Sequence, residues 1–378
     1  MDISQFNAGY FEQQFQYKSF VPEPINREWV ISNPEVLTLL TNASHLLGEL
    51  NAFAQLIPDV DFFIQMHITK EATTSSRIEG TQTNMEEALI GEQDIDPERR
   101  DDWQEVHNYI QAVNYAIAQL ETMPLSNRLL RSTHQILLQG VRGKNKLPGE
   151  FRNSQNWIGP SLKHAVFVPP HYSRVPELMG DLEQFSHNEA IYVPHLVRIA
   201  LIHYQFETIH PFLDGNGRLG RLLIPLYLAH ANVLTKPALY LSDFFERHKG
   251  DYYDHLMAVR TNHKLDAWLR FFLIGVEESA EKSIQTFKSI LTLKEQIEHE
   301  KLSQLHVRKR VNAQQLVRAL YQRPIMDINR ISTLLAIRHN TATALVKDFV
   351  ALRILEELTG HQRNRLYAFA PYIRLFRE

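Results

Sequence analysis

HPFLDGNGRLGR, residues 210–221, places an imidazole, a carboxylate, an asparagine between two glycines, and two arginines in twelve residues. The stretch before it, VRIALIHYQFETIH (197–210), is amphipathic with helical spacing and runs into Pro211. A residue that precedes proline avoids the helical region, so that helix ends at or near His210. Asp214-Gly215-Asn216-Gly217 is turn chemistry, and its glycines let backbone N–H groups converge where side chains would block them. A second helix is expected from about Gly217 through RLGRLLIPLYLAH. Its first N–H groups and positive dipole end make an anion site. Arg218 lies in its first turn and Arg221 three residues on, on the same face. Pro225, inside this helix, is expected to bend it or weaken one turn.

Two fixed cations over a nest of N–H groups suit a polyphosphate. Asp214 opposes such a ligand unless a divalent cation lies between them. Mg²⁺ is commonly held by one or two carboxylates together with phosphate oxygens. His210 titrates near neutrality and stands at the rim, placed to take a proton from an attacking hydroxyl. Each feature alone has an ordinary structural reading, such as a helix-end His or a surface pair of arginines. Their order within one short segment points to a nucleotide site. It is not a P-loop, because GxxxxGK[ST] is absent and the His lies upstream.

The 378 residues suggest two or three domains, and 44% hydrophobic with 22% charged residues is ordinary for a soluble globular protein. The longest apolar runs are as short as LLIPLYLA (222–229), so no membrane span is expected. MDISQFNAGYFEQQF has no basic start followed by an apolar stretch, and so does not read as a secretory signal. The absence of Cys excludes disulfide and thiolate chemistry and fits a cytoplasmic location. Charge is uneven: residues 301–378 carry 14 Lys and Arg against 5 Asp and Glu, a net +9 that leaves −12 for the rest. A basic end on an acidic body reads either as a nucleic-acid-facing module or as a small domain with a solvated basic surface.

Helical periodicity predicts helices over 34–57, 61–79, 103–121, 126–139, 174–186, 193–208, 217–230, 250–259 and 265–294. NWIGPSLKHAVFVPP (156–170) reads as a small hairpin ended by two prolines. EESAEKSIQTFKSILTLKEQIEHEKL (277–302) reads as a long polar helix that bridges to the end module. That module shows three helices, 311–324, 328–337 and 339–354 with Asn340 as a candidate N-cap, then two strands around TGHQRN. This is the winged helix-turn-helix order. The third helix would expose Arg338, His339, Thr341, Thr343 and Lys347, and the wing turn carries Arg363 and Arg365.

The segment 210–221 resembles the Fic family signature, HPF-x-[DE]-GNGR-x-x-R, at every fixed position. The resemblance covers roughly residues 10–290. It implies a mainly α protein, a Fic-type helical bundle with a small β-hairpin flap, to which the C-terminal winged helix-turn-helix is added. It implies transfer of AMP from ATP, with Mg²⁺, to a Ser, Thr or Tyr hydroxyl of a protein. Carried onto this chain, His210 is the general base, Asp214 the metal ligand, and Gly215, Asn216 and Gly217 the anion hole. Arg218 and Arg221 hold the distal phosphates. Phe212 anchors the loop, and Leu213 belongs to the same nucleotide-binding run. The hairpin at 156–168 corresponds to the family's flap, which registers a target backbone by strand addition; Trp157, Phe167 and Val168 read equally well as core residues. LYLSDFFERHKGDYYDHL (239–256) resembles the segment beside the nucleotide, with Tyr240, Tyr252 and Tyr253 as candidates for the adenine and ribose environment. Arg260 stands where some relatives have an Asn, which alters the base contact.

TKEATTSSRIEGTQTN (69–84) holds a second signature. Gly80 reads as the residue that ends a helix, so Glu79 falls in the last turn, where the dipole disfavours an anion. That position calls for a cationic partner elsewhere. SSRIEG is similar to the family's inhibitory motif, [ST]-x-x-x-E-[GN]. The resemblance pairs Glu79 with Arg221, which would withhold that cation from the γ-phosphate. Ser75 and Ser76 lie on the face of Glu79, placed for its partners or for the nucleotide.

The expected organisation is an N-terminal helical region over 1–100 carrying the inhibitory helix, a catalytic core over 101–276, a linker helix over 277–305 and the winged helix-turn-helix over 306–378. The expected function is an autoinhibited protein adenylyltransferase. The alternatives are a deAMPylase or other nucleotide transferase using the same site, and a DNA-binding regulator acting through the end module. Expected partners are a protein substrate with a hydroxyl side chain, the chain itself included, DNA or protein on the end module, and a second copy of the chain as a homodimer.

Overall fold

The computed structural model describes residues 1–57, 59–140, 143, 145–360 and 365–377. It opens with an antiparallel pair that the helical reading of the sequence missed, β1 (Gly9–Gln13) and β2 (Lys18–Pro22), with Gly9 opposite Pro22. Among the described residues, eleven α-helices follow before the end module. They are α1 (Pro34–Leu56), α2 (Val60–Ile78), α3 (Met85–Leu89), α4 (Arg100–Leu120), α5 (Asn127–Leu137), α6 (Val175–His187), α7 (His195–Ile209), α8 (Asn216–His230), α9 (Ser242–Arg247), α10 (Lys249–Asn262) and α11 (Leu265–Glu295). The local sequence explains several starts. The Asn33 side chain accepts from the Glu35 N–H at 2.9 Å ahead of Pro34, and Asn84 and Glu87 form a reciprocal capping box at α3.

Helix α7 is the axis of the core. Every residue from Leu196 to Ile209 is buried, and α6, α8, α10 and α11 pack around it. A helix that is buried all round must pair its polar groups internally. His203 donates from Nδ1 to the Gly220 carbonyl (2.9 Å) and accepts at Nε2 from the Tyr252 hydroxyl (2.9 Å), tying α7 to α8 and α10. From α11, the Trp268 indole N–H donates to the Ala200 carbonyl at 2.9 Å.

Two expectations change. The helix read as a linker from residue 277 is the second half of the continuous α11, with Ile284, Phe287 and Ile290 buried along α1. The apolar spacing that predicts a helix over 265–294 is this buried stripe, and it carries α11 past residue 277 without a break. The hairpin at 156–170 reduces to a single bridge between Ile158 and Phe167, with a 3-10 turn at Leu162–His164. Phe167 and Val168 are core, and the Phe20 N–H donates to the Val168 carbonyl at 2.9 Å, so β2 props the base of the flap. Helix α8 runs unbroken through Pro225.

After a π-helical turn at Gln296–Lys301 come α12 (Val307–Gln322), β3 (Ile325–Asp327), α13 (Ile328–Leu334), α14 (His339–Ala351), β4 (Glu356–Glu357), β5 (Leu366–Ala368) and α15 (Ala370–Arg374). The strand order is β3-β5-β4, all antiparallel. Arg338, not Asn340, is the N-cap of α14. Arg363 lies outside the described residues, whereas Arg365 pairs with Glu357 at 3.2 Å. This module sits on the first half of α2. Phe63 meets the rings of Tyr321 (5.6 Å) and Tyr372 (6.2 Å), His67 meets Phe376 (5.0 Å), and Asp59 pairs with Arg318 (3.1 Å).

Trp268→Ala removes a fully buried ring and its hydrogen bond to α7, and should cost about 3–5 kcal/mol. Urea unfolding followed by fluorescence should show a clearly lower midpoint, and an unchanged midpoint contradicts this packing.

Candidate functional site

The loop between α7 and α8 begins and ends on left-handed residues. His210 (φ 50°, ψ 60°) ends α7, its N–H still reaching the Phe206 carbonyl at 2.9 Å, and Gly215 (φ 74°) is the N-cap of α8. A non-glycine residue rarely adopts such a conformation unless its surroundings impose it. Here they do. Arg152 Nε donates to the His210 carbonyl at 3.0 Å, and its own N–H donates to the Pro211 carbonyl at 2.9 Å. Asn156 Nδ2 donates to the Phe212 carbonyl (2.8 Å). The Asn216 side chain staples the loop, accepting from the Phe212 N–H (2.9 Å) and donating to the Phe212 carbonyl (2.8 Å).

Phe212 is wholly buried and stacks on His134, with ring centroids 3.8 Å apart. His134 Nε2 donates to the Asp214 carbonyl and Nδ1 accepts from the Gly149 N–H, each at 2.9 Å, which fixes one neutral tautomer. Burial lowers its pKa to about 4. His210 is likewise pushed down to about 4, by burial first and then by Arg260 and Arg152. Its imidazole is therefore neutral at physiological pH and has a lone pair to accept a proton.

Arg221 is 2% exposed and bonded through Nε and Nη2. Its Nε donates to Ser75 Oγ (2.9 Å), and its Nη2 donates to the Ser75 carbonyl (2.9 Å) and to Glu79 Oε1 (2.7 Å). Burial works to raise the Glu79 carboxyl, but Arg221, with Arg218 and His210, holds it below its ordinary range. Arg218 donates to Glu105 Oε2 at 3.3 Å, and its Nη2 lies 3.7 Å from Asp214 Oδ1. Thr81 donates to the same Glu105 oxygen at 3.0 Å. The end of α2 is seated by Lys249, whose Nζ caps the Ile78 carbonyl (2.6 Å), and by an Arg77–Glu246 ion pair (3.1 Å).

These groups surround a cavity of about 610 Å³, within the usual size of a small-molecule site. One wall is the 213–218 turn with Arg221 and Glu79. The others are the flap residues Trp157, Ile158, Val166 and Phe167, and Tyr252, Tyr253, Met257 and Arg260 of α10.

Comparison with known proteins identifies the arrangement. The description "Fic/DOC family N-terminal" matches residues 37–118, and "Fic/DOC family" matches residues 124–228. The chain belongs to the Fic/DOC family. Two curated relatives, each named protein adenylyltransferase Fic, from Aedes aegypti and Culex quinquefasciatus, are 29% identical over 140 residues, which is 37% of this chain and 25% of each relative. The chain thus spans about a quarter of the length of the curated relatives it matches. A crystal structure of a Fic family protein from Desulfovibrio desulfuricans is 20% identical, with a TM-score of 0.54 over 92% of this chain and 98% of that one. A Fic domain containing signaling protein from Bacteroides thetaiotaomicron is 18% identical, with a TM-score of 0.51 over 67% and 97%. At these identities the two structures speak to the fold.

In this Fic chain the residues 210, 213–218, 221, 79, 252 and 253 line one cavity, with Phe212 behind the loop as its anchor. Ser75 reaches Arg221, whereas Ser76 Oγ is buried without a hydrogen-bond partner among the described residues. Tyr240 does not reach the site. It lines a separate small cavity with His67, Lys70 and Glu71 of α2. The Tyr252 hydroxyl is committed to His203, leaving its ring for the pocket. Sequence reading missed Glu105, His134, Arg152 and Asn156. Glu105 and His134 carry a signal, a polar residue on a buried helix face, as Glu105 is in the series Glu105, Val106, Tyr109 and Ala112; Arg152 and Asn156 lie in an irregular segment and carry none.

The neutral imidazoles give a stability prediction. His134 titrates at about 4 and His203 at about 3 in the folded chain, both lowered chiefly by burial. An unfolded His titrates near 6.5, so the unfolded chain binds protons first. Their contribution is complete above about pH 6.5 and is lost as pH falls towards about 4, on the order of 1 kcal/mol per pH unit per imidazole. Urea midpoints at pH 7 and pH 5 should differ accordingly, and equal midpoints would contradict neutral burial.

Proposed function

We propose that this chain transfers AMP from ATP to a hydroxyl side chain of a protein, itself among the candidates, and that Glu79 restrains it by occupying Arg221. The observation that carries this reading is the 2.7 Å bond from Arg221 to Glu79 at the wall of the pocket that the α8 N-terminus opens into. The naming of the mosquito relatives as protein adenylyltransferases agrees with it.

The phosphate tail lies over the N–H groups at Gly215–Gly217, with Arg218 and Arg221 towards the distal phosphates. A Ser, Thr or Tyr hydroxyl attacks the α-phosphorus. A new P–O bond forms, the bond to the bridging oxygen breaks, and pyrophosphate leaves. The hydroxyl proton passes to the imidazole of His210. Positioning and charge neutralisation supply most of the acceleration in such transfers. Asp214 fits Mg²⁺: its carboxylate is 40% exposed and lines the cavity beside Arg218. A single carboxylate suits an ion that brings water and phosphate oxygens as its other ligands. Bound there, Mg²⁺ would neutralise charge between the phosphates. The exposed Trp157 and Val166 at the Ile158–Phe167 bridge offer an edge along which a target backbone adds as a strand.

Glu79→Gly should raise transfer from labelled ATP at least tenfold, whereas Glu79→Gly with His210→Ala should fall by about 10²–10⁴ from that level. A Glu79→Gly chain as slow as wild type on lysate proteins and on itself would refute the restraint.

One observation favours a second role. Arg338, His339, Thr341 and Lys347 are exposed on α14, at the surface of the end that carries the +9 charge. Duplex DNA should bind the full chain with an affinity that falls steeply between 50 and 200 mM salt, and Lys347→Ala should reduce that slope. No binding at low salt removes this role.

A further inference from the structure

Glu207 is an acid with no assigned task in the wall of the cavity. It stands on α7 one turn before His210, is 6% exposed, and its Oε1 is buried without a hydrogen-bond partner among the described residues. The fold makes room for this carboxyl. Gly220 of α8 faces it, and a Cβ there would come within 2.2 Å of Glu207 Oε1. The nearby cations are engaged elsewhere: Arg221 with Ser75 and Glu79, and Arg260 with Thr208 Oγ1 (3.1 Å) and over the Phe167 ring (4.0 Å).

A buried carboxylate without a partner is costly, and a polyphosphate entering the same cavity makes it costlier. A neutral carboxyl removes the repulsion and also supplies an O–H donor, which phosphate and ribose oxygens accept. We propose that Glu207 binds the nucleotide as a neutral carboxylic acid, donating its proton to a ligand oxygen, so that nucleotide uptake is coupled to proton uptake. This rests on the nucleotide-binding reading of the cavity.

The groups that act on Glu207 come from each packed element. Arg221 of α8 and Arg260 of α10 favour its ionised form. Glu79 at the end of α2 disfavours it. Tyr252 and Tyr253 face it from α10, His203 and His210 share its helix, and the flap contributes the uncharged Phe167. Burial outweighs the two cations and raises the carboxyl to about 7, so both forms are populated at neutral pH and a polyanion selects the protonated one. Below that value binding gains nothing from further acid. Above it, affinity falls as the proton must be bought back.

The test uses the full Glu79→Gly chain and the magnesium complex of a β,γ-methylene ATP analogue, titrated calorimetrically at pH 8 in two buffers of different ionisation heat. The inference expects uptake of close to one proton per nucleotide and an affinity that falls about tenfold from pH 8 to pH 9. Adding Glu207→Gln, which keeps shape and a donor, should abolish that uptake and flatten the pH dependence while nucleotide still binds. Binding with no proton uptake, or with uptake that persists in the Gln variant, overturns the inference and leaves the nucleotide site standing. No binding to the Glu79→Gly chain overturns both. If the Gln variant does not fold, the proton count of the parent chain decides alone.

Discussion

A buried guanidinium needs an anion and hydrogen-bond acceptors, and Arg221 takes its anion and two further acceptors from Glu79 and Ser75 at the end of α2. Its partners, Ser75 and Glu79, lie 146 and 142 residues away in sequence. The two sides of the pair are unequal. Arg221 is sealed in the core, whereas the Glu79 side chain is 36% exposed and sits at a helix end, where the dipole works against an anion. The cation is the buried member of the pair and the carboxylate the accessible one. Under the proposed function, a phosphate in the place of Glu79 would keep the guanidinium paired, and ligand and restraint would compete for one charge.

The seat of α2 therefore matters as much as the residue at its end. Glu71, buried on that helix, accepts from the Tyr109 hydroxyl of α4 at 3.0 Å and from Ser242 of α9. Lys249 caps the end of α2, and rings of the C-terminal module cover its beginning at Phe63 and His67. Opposite, the loop from His210 to Gly215 is set by side chains from outside the motif: Arg152, Asn156 and His134 hold its carbonyls. The backbone of these twelve residues is held in place by side chains that the motif itself does not contain.

Much of this was legible in the sequence, for identifiable reasons. The helices around α7 follow from strong apolar periodicity, and the end of α7 at His210 follows from Pro211. The turn at a helix start that lines the cavity follows from the glycines at 215 and 217. What stayed hidden depends on long-range contacts. The Arg218–Glu105 pair joins residues 113 apart, and nothing local marks Glu105 as its partner. The β1–β2 pair was obscured by its weak alternation, since β2 is buried on nearly every residue. The second half of α11 looked like a bridge because its buried stripe is narrow. Tyr240 was misplaced because two tyrosines near a pocket and one behind it look alike in sequence.

The central claim is that Arg221 exchanges Glu79 for a phosphate. The most direct measurement is a crystal structure of the Glu79→Gly chain soaked with magnesium and a non-hydrolysable ATP analogue. The account predicts a terminal phosphate on Arg221, the α-phosphate over the N–H groups at 215–217, and His210 facing the α-phosphorus. An analogue bound elsewhere, or one whose phosphates leave Arg221 untouched, would contradict it.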